Sequence, residues 1–187
     1  MEGQTNSRAV PLTVERIVDA ACRIHDRDGF RALSMRKLGA ELDVDPMAVY
    51  HHVTDKRELL RLVTERTVSG MRAPDPALAW DVRVRQWAGS YWDVVNAHRD
   101  LTLAGLADPD VAAGGVPSTE SLATAIADSG LPTELVEATT FIVVDAVHGS
   151  ALGTAAPDGN DVTAMRGMFG IGLDTIIAGI AARALTG

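Results

Sequence analysis

The sequence predicts an all-α fold, and three observations carry that prediction. Apolar residues recur every three or four positions over long stretches. Proline and glycine interrupt those stretches at spaced intervals. No run alternates apolar and polar residues in the two-residue period of a strand. With 187 residues, 47% of them hydrophobic, the chain can build a sizeable core shared between a small domain and a larger one.

Residues 1–11 read as a polar, flexible arm ending in Pro11, with Arg8 free to touch phosphate. From Thr13, a suitable N-cap, Ile17, Val18, Ala21, Ile24 and His25 recur at helical spacing until Asp28-Gly29 ends the first helix. Leu33 before Ser34, with Leu38 at the fourth helical position, has the spacing of a hydrophobic staple and starts a second helix. Asp43-Val44-Asp45-Pro46 stops it and supplies an acidic N-cap and a first-turn proline for a third, from Pro46 to about His52. Leu33, Leu38, Leu42, Val44 and Val49 are the expected core partners of the first helix. Asp55 followed by Glu58 gives a capping-box-like start to a fourth helix reaching about Ser69.

Met71 to Pro76, MRAPDP, is the strongest linker, because its two prolines stop helices on either side. It sets the expected domains: 12–70, with the fourth helix as connector, and 71–187. In the second, Val84, Trp87, Ala88, Tyr91, Trp92, Val95 and His98 line one face of a helix from Leu78 to His98. Helical patches follow at Leu101–Leu106, about Pro117–Asp128 and Pro132–Gly153. After a Pro157–Asn160 loop, a last helix runs from Asp161.

Composition narrows the function. One cysteine, Cys22, excludes an intramolecular disulfide framework. The N-terminus has no apolar signal-peptide core, and the most apolar windows are interrupted by Asp145, His148 and Asp174, so no membrane span is expected and a cytoplasmic location is. The net charge of −8 falls entirely in the C-terminal part: residues 1–70 hold 11 basic and 11 acidic residues, and residues 71–187 hold 6 and 14. A locally basic face including Arg31, Arg36, Lys37, Lys56 and Arg57 is therefore compatible with DNA. Two short helices across a tight turn, the second presenting Met47, Ala48, Tyr50 and His51, match a helix-turn-helix whose second helix enters a major groove.

Ile17-Val18-Asp19-Ala20-Ala21, Gly29-Phe30, Leu33 to Leu38, Val44, Ala48 to Val53 and Lys56 to Leu60 together make residues 13–66 resemble the N-terminal domain of the TetR family of bacterial transcriptional regulators. The remainder resembles the tetracycline-repressor branch more weakly, through Trp80, Tyr91, His98-Arg99-Asp100, Phe169 to Asp174 and Ile176 to Gly179. The resemblance implies an N-terminal three-helix helix-turn-helix domain followed by an α-helical ligand-binding and dimerisation domain. It also implies a repressor that binds a palindromic double-stranded DNA operator as a homodimer and is released by a small molecule. Within it, Arg36 corresponds to the base-reading arginine before the turn, Pro46, Met47 and Ala48 begin the recognition helix, and Tyr50, His51, His52 and Lys56 correspond to phosphate-positioning residues.

The expected ligand-binding residues are Trp87, Tyr91, Trp92, Leu103, Leu106, Phe141, Val144, Asp145 and His148, an aromatic wall with a few polar groups. Gly105 stands where the branch has its metal-binding histidine, so the expected effector is a small organic molecule, with no metal and no cofactor. Ile142, Ala146, Gly149, Gly153, Phe169, Gly172, Leu173, Ile176 and Ile180 are the expected dimer interface, a four-helix contact between two copies. Catalysis is not expected: Asp145, His148 and Ser150 have the residue types of a hydrolase, but Ser150 points about 200° around the helix from His148. An alternative with no small-molecule effector is a dimeric DNA-binding architectural or partner-protein-binding factor.

Overall fold

The computed structural model describes residues 11–153 and 162–185; the arm with Arg8 and the Pro157–Asn160 loop lie outside the described residues. The chain divides into two compact units, Met1–Val63 and Thr64–Gly187, and the division falls inside a helix.

In the first unit, α1 (Val14–Asp28) starts where the Thr13 hydroxyl accepts the Arg16 N–H at 3.3 Å. It stops at Gly29, whose φ of +78° lies in the region side chains disfavour. A 3-10 turn, Phe30–Ala32, follows that no periodicity announced. At α2 (Met35–Leu42) the Ser34 hydroxyl accepts the Lys37 N–H at 3.2 Å, and the staple residues Leu33 and Leu38 are both buried. The chain reverses at Asp43, a left-handed residue with φ +54°. α3 (Pro46–Tyr50) is capped by Asp45, which accepts the Met47 N–H at 2.7 Å. It is shorter than expected, because the N–H groups of His51 and His52 turn back three residues to Ala48 and Val49.

Ile17, Ala21, Ile24, Leu33, Leu38 and Val49 form the core as expected, whereas Leu42 and Val44 are only half-buried, since they flank the reversal at Asp43. Gly39 explains how tightly that reversal closes: a Cβ there would lie 2.9 Å from the Val44 carbonyl oxygen and 3.1 Å from two ring carbons of Pro46. Arg27 and Arg23 reach Glu41, and Lys37 reaches Asp28 at 2.7 Å, tying α1 to α2 through exposed pairs of small individual worth.

The helix containing the unit boundary, α4 (Lys56–Ser69), begins with Asp55 accepting the Glu58 N–H at 2.8 Å. Glu58 reaches back one residue further than in the usual box, accepting both the N–H and the hydroxyl of Thr54 at 2.6 Å. Those bonds hold its carboxyl below the usual range.

The second unit contains α5 (Trp80–Ala97), α6 (Arg99–Ala107), α7 (Pro109–Ala112), a 3-10 run (Ala113–Thr119), α8 (Glu120–Ala127), α9 (Thr133–Gly153) and α10 (Val162–Ala184). Helix α7 lies between the helical patches expected at Leu101–Leu106 and about Pro117–Asp128. Its start repeats the logic of α3: Asp108 accepts the Asp110 N–H at 3.0 Å and Pro109 takes the first position. Helix α5 packs on α8 and α9, and α9 packs on α8 and α10. Their shared core holds Val84, Trp87, Trp92, Leu122, Ile126, Val143, Val147, Phe169, Leu173 and Ile177. Arg99 donates to the carbonyls of Ala151 at 2.5 Å and of Leu152, satisfying acceptors at the end of α9.

The residues expected at the dimer interface fall into two groups in the single chain. Phe169, Leu173 and Ile180 of α10 are buried within their own chain, and Ile176 of α10 and Ala146 of α9 pack against the same core, because α10 packs on α9. Ile142, Gly149, Gly153 and Gly172 do lie exposed. On α10 the solvent-facing row is Ala164, Met168, Ile171, Thr175, Ala178 and Ala182, spaced alternately by four and three residues. With mean hydropathies of 1.4 and 1.3, α9 and α10 are by length and composition apolar enough to cross a membrane, despite Asp145, His148 and Asp174.

Candidate DNA-reading surface and ligand cavity

The first unit presents α3 with Met47 62% and Tyr50 45% exposed, and His51, His52, Lys56 and Arg36 exposed around it. Pro46 and Ala48 are half-buried; the Pro46 ring packs toward Gly39, which leaves Met47 as the projecting apolar group at the start of the helix. Arg36 has no ion pair among the described residues, leaving its planar fork available. Lys37, counted in the basic face, is engaged by Asp28 instead, and that contact, ahead of the one from Arg27, holds the Asp28 carboxyl low. Lys56 sits 5.6 Å from the centre of the Phe30 ring, a contact that orients its stem.

The second unit contains a cavity of about 240 Å³ between α4, α5, α6, the α7 region and α9. Six of the nine expected residues line it: Tyr91, Leu106, Phe141, Val144, Asp145 and His148. Three do not. Trp87 is 1% exposed and donates its indole N–H to the Ser118 carbonyl at 2.8 Å, bordering a separate polar cleft with Met71, Arg72 and Pro74. Trp92 is equally buried and donates to Ser150 at 3.3 Å. Leu103 points outward from α6 and is 52% exposed. On this face of α5, Trp87 and Trp92 fill the core while Tyr91, Val94, Val95 and His98 border the cavity.

Thr64, Thr67 and Val68 from the second half of α4 also line the cavity, as do Leu101, Thr102 and Gly105 of α6 and Ala112, Gly115, Val116 and Thr119. The 64, 67, 68 spacing marks a helix face, but without the fold nothing distinguished it from the rest of a connecting helix. A Cβ at Gly105 would meet Ala112 at an ordinary van der Waals distance of 3.7 Å.

The polar centre of the cavity is Tyr91 with His148. The phenol oxygen lies 2.7 Å from Nε2, and burial pushes the Tyr91 hydroxyl up to about 12 and the imidazole below its ordinary value, partly opposed by the Asp145 carboxylate. Tyr91 is thereby kept neutral. Ser150 turns to Trp92 rather than to His148, so Asp145, His148 and Ser150 do not assemble a proton relay.

Comparison with known proteins agrees with this arrangement. The family model for bacterial regulatory proteins of the tetR family matches residues 17–63, covering α1 to α4 up to the unit boundary. Of solved structures, ActR of Streptomyces coelicolor in complex with actinorhodin superposes with a TM-score of 0.79 at 27% identity, covering 94% of this chain and 99% of that one. Residues 17–63 thus carry a TetR-family N-terminal domain. BioQ with its double-stranded DNA operator superposes with a TM-score of 0.74 at 28% identity, over 92% of this chain and 99% of BioQ. A transcriptional repressor of Streptomyces coeruleorubidus, DrrR1, is 46% identical over 55 residues, which are 29% of this chain and 20% of that repressor. The chain thus spans about a fifth of that relative's length, and the resemblance there is confined to part of it.

Proposed function

We propose that this chain is a cytoplasmic, ligand-responsive transcriptional repressor that binds a palindromic DNA operator as a homodimer and leaves it when a small organic molecule enters the cavity of the second unit. The observation that carries the reading is the course of α4. Its Leu59, Leu60 and Val63 are buried, and in the next turn Thr64, Thr67 and Val68 form one wall of the cavity. An occupant that favours one position of α4 over another therefore has a direct route to the helix-turn-helix, and only such differential affinity can shift an equilibrium. ActR with bound actinorhodin and BioQ with bound operator, both similar over nearly their whole lengths, support the two halves of the proposal.

Arg36 and the start of α3 are proposed to meet bases, and Tyr50, His51, His52 and Lys56 to meet phosphates. Dimerisation is assigned to the exposed faces of α9 and α10, including Ile142, Gly149, Gly153 and Gly172, together with the Met168 and Ile171 row. It would set two recognition helices about 34 Å apart, the spacing of successive major-groove faces. Selection of bound sequences from a random duplex pool tests the proposal: a two-fold symmetric consensus is the expected result. Recovery of an asymmetric or unrelated set would refute it.

A further inference from the structure

We infer that Met47 reads the C5-methyl group of a pyrimidine in the major groove, so that operator binding responds to methylation of cytosine as well as to thymine. The inference rests on the operator-binding reading above and assigns one part of its sequence preference to one side chain. Helix α3 consists of Pro46, Met47, Ala48, Val49 and Tyr50 and carries no amide, carboxylate or guanidinium group. Val49 is fully buried, and Pro46 and Ala48 are half-buried. What the helix presents is Met47, 62% exposed, and Tyr50, 45% exposed, three residues apart on one face.

The hydrogen-bonding code of base edges is closed to Met47. Bidentate readout takes an arginine, lysine, asparagine or glutamine, and a cytosine amino group takes a carboxylate. A thioether has no donor and is only a weak acceptor. The carboxylate that precedes α3, Asp45, is engaged by the Met47 N–H at 2.7 Å, and Tyr50 ends in a hydroxyl that suits a phosphate. The apolar group that base edges present in the major groove is the pyrimidine C5-methyl. Thymine carries it, 5-methylcytosine carries it at the same ring position, and cytosine and uracil lack it.

The backbone beneath Met47 is fixed while its side chain adapts. Asp45 caps its N–H, the Ala48 N–H bonds to the Asp45 carbonyl at 2.9 Å, and the Pro46 ring would lie 3.1 Å from a Cβ at Gly39. An unbranched thioether on such a base can settle against a methyl in an ordinary rotamer. Arg36, His51, His52 and Lys56, exposed around it, give the same surface the groups that suit a DNA backbone.

Fluorescence anisotropy with duplexes built on the consensus selected from the random pool tests the assignment. Deoxyuridine replaces thymidine at each position in turn, in both half-sites together. One position is expected to lose about 10–25-fold in affinity, the product of about three- to fivefold for each buried methyl. At that position a cytosine–guanine pair should bind weakly, and 5-methylcytosine in its place should recover about three- to fivefold per half-site. In Met47→Ala and Met47→Gln the thymine and uracil duplexes should bind equally, whereas Met47→Leu, still apolar, should keep a difference of at least about threefold. Arg36→Ala should keep the difference too, at lower overall affinity. Binding of the uracil duplex by the Met47 variants within about threefold of the parent shows that α3 is still in place.

Insensitivity to every thymine methyl, a thymine preference that survives Met47→Ala, or no gain from 5-methylcytosine overturns the inference. A methyl effect on an asymmetric consensus counts against the two-fold operator and leaves the role of Met47 standing, and a symmetric consensus without a methyl effect does the reverse. A pool from which no duplex is retained overturns both.

Discussion

Replacing Gly39 by alanine is expected to destabilise the first unit, although helix propensity argues the reverse. Gly39 lies inside α2, where alanine normally stabilises by about 0.5–1 kcal/mol. Here the new Cβ would stand 2.9 Å from the Val44 carbonyl oxygen and 3.1 Å from Cγ and Cδ of Pro46. Neither neighbour can yield cheaply, since Val44 donates its N–H back to the Gly39 carbonyl at 2.9 Å and the proline ring is rigid at the first position of α3. Overpacking of this kind costs about 1–3 kcal/mol, which leaves a net loss of about 1–2 kcal/mol after the propensity gain. Urea unfolding followed by circular dichroism measures the stability, and fluorescence anisotropy with a labelled operator measures the accompanying displacement of α3. Adding Pro46→Ala to the Gly39→Ala variant should restore part of both losses. A Gly39→Ala protein more stable than the parent would show that the turn has slack and that the close approach does not fix the helix-turn-helix geometry.

Arg36→Ala should weaken operator binding and change base preference near one position, while Lys56→Ala should weaken all sequences evenly and reduce the salt slope by about one; competition titrations at several salt concentrations read both. Tyr91 should ionise only near pH 12, as followed by its ultraviolet absorbance. Because folding raises this value above the ordinary 10.0, the proton is held more tightly in the folded state, so the associated stability is complete below pH 10 and lost as pH rises towards 12. Tyr91→Phe should flatten that alkaline decline. Ile171→Asp, at a side chain 71% exposed, should leave the monomer's unfolding within about 0.5 kcal/mol of the parent but convert dimer to monomer in sedimentation equilibrium.

Local signals were most legible where one residue type has one structural use. Thr13, Ser34 and Asp45 marked helix starts by composition, and each caps its helix by the expected bond. The all-α class followed from periodicity, and the helix-turn-helix from caps, staple and turn together. What periodicity leaves open is which part of an apolar face meets a neighbour and which meets a void. Trp87 and Tyr91 lie one turn apart on α5, yet the indole is consumed by packing and by Ser118 while the phenol borders the cavity. The same limit separates Leu173 from Gly172: both sit on an apolar helix, but only the fold decides that one faces α9 and the other faces out. The Asp108-Pro109 start of α7 is readable in principle, since it repeats Asp45-Pro46.

The stacking of Trp87 on Tyr91, with ring centres 4.8 Å apart, has an optical consequence. All three tryptophans, Trp80, Trp87 and Trp92, belong to the second unit, and the first contains none. Indole emission excited at long wavelength is therefore blind to direct events at the helix-turn-helix. Trp87, touching the residue that borders the cavity without bordering it itself, should dim or shift when the space next to Tyr91 is filled. The molecule carries its own gauge of occupancy, so a label on the DNA and the native emission of the protein can follow operator release and ligand entry in the same cuvette.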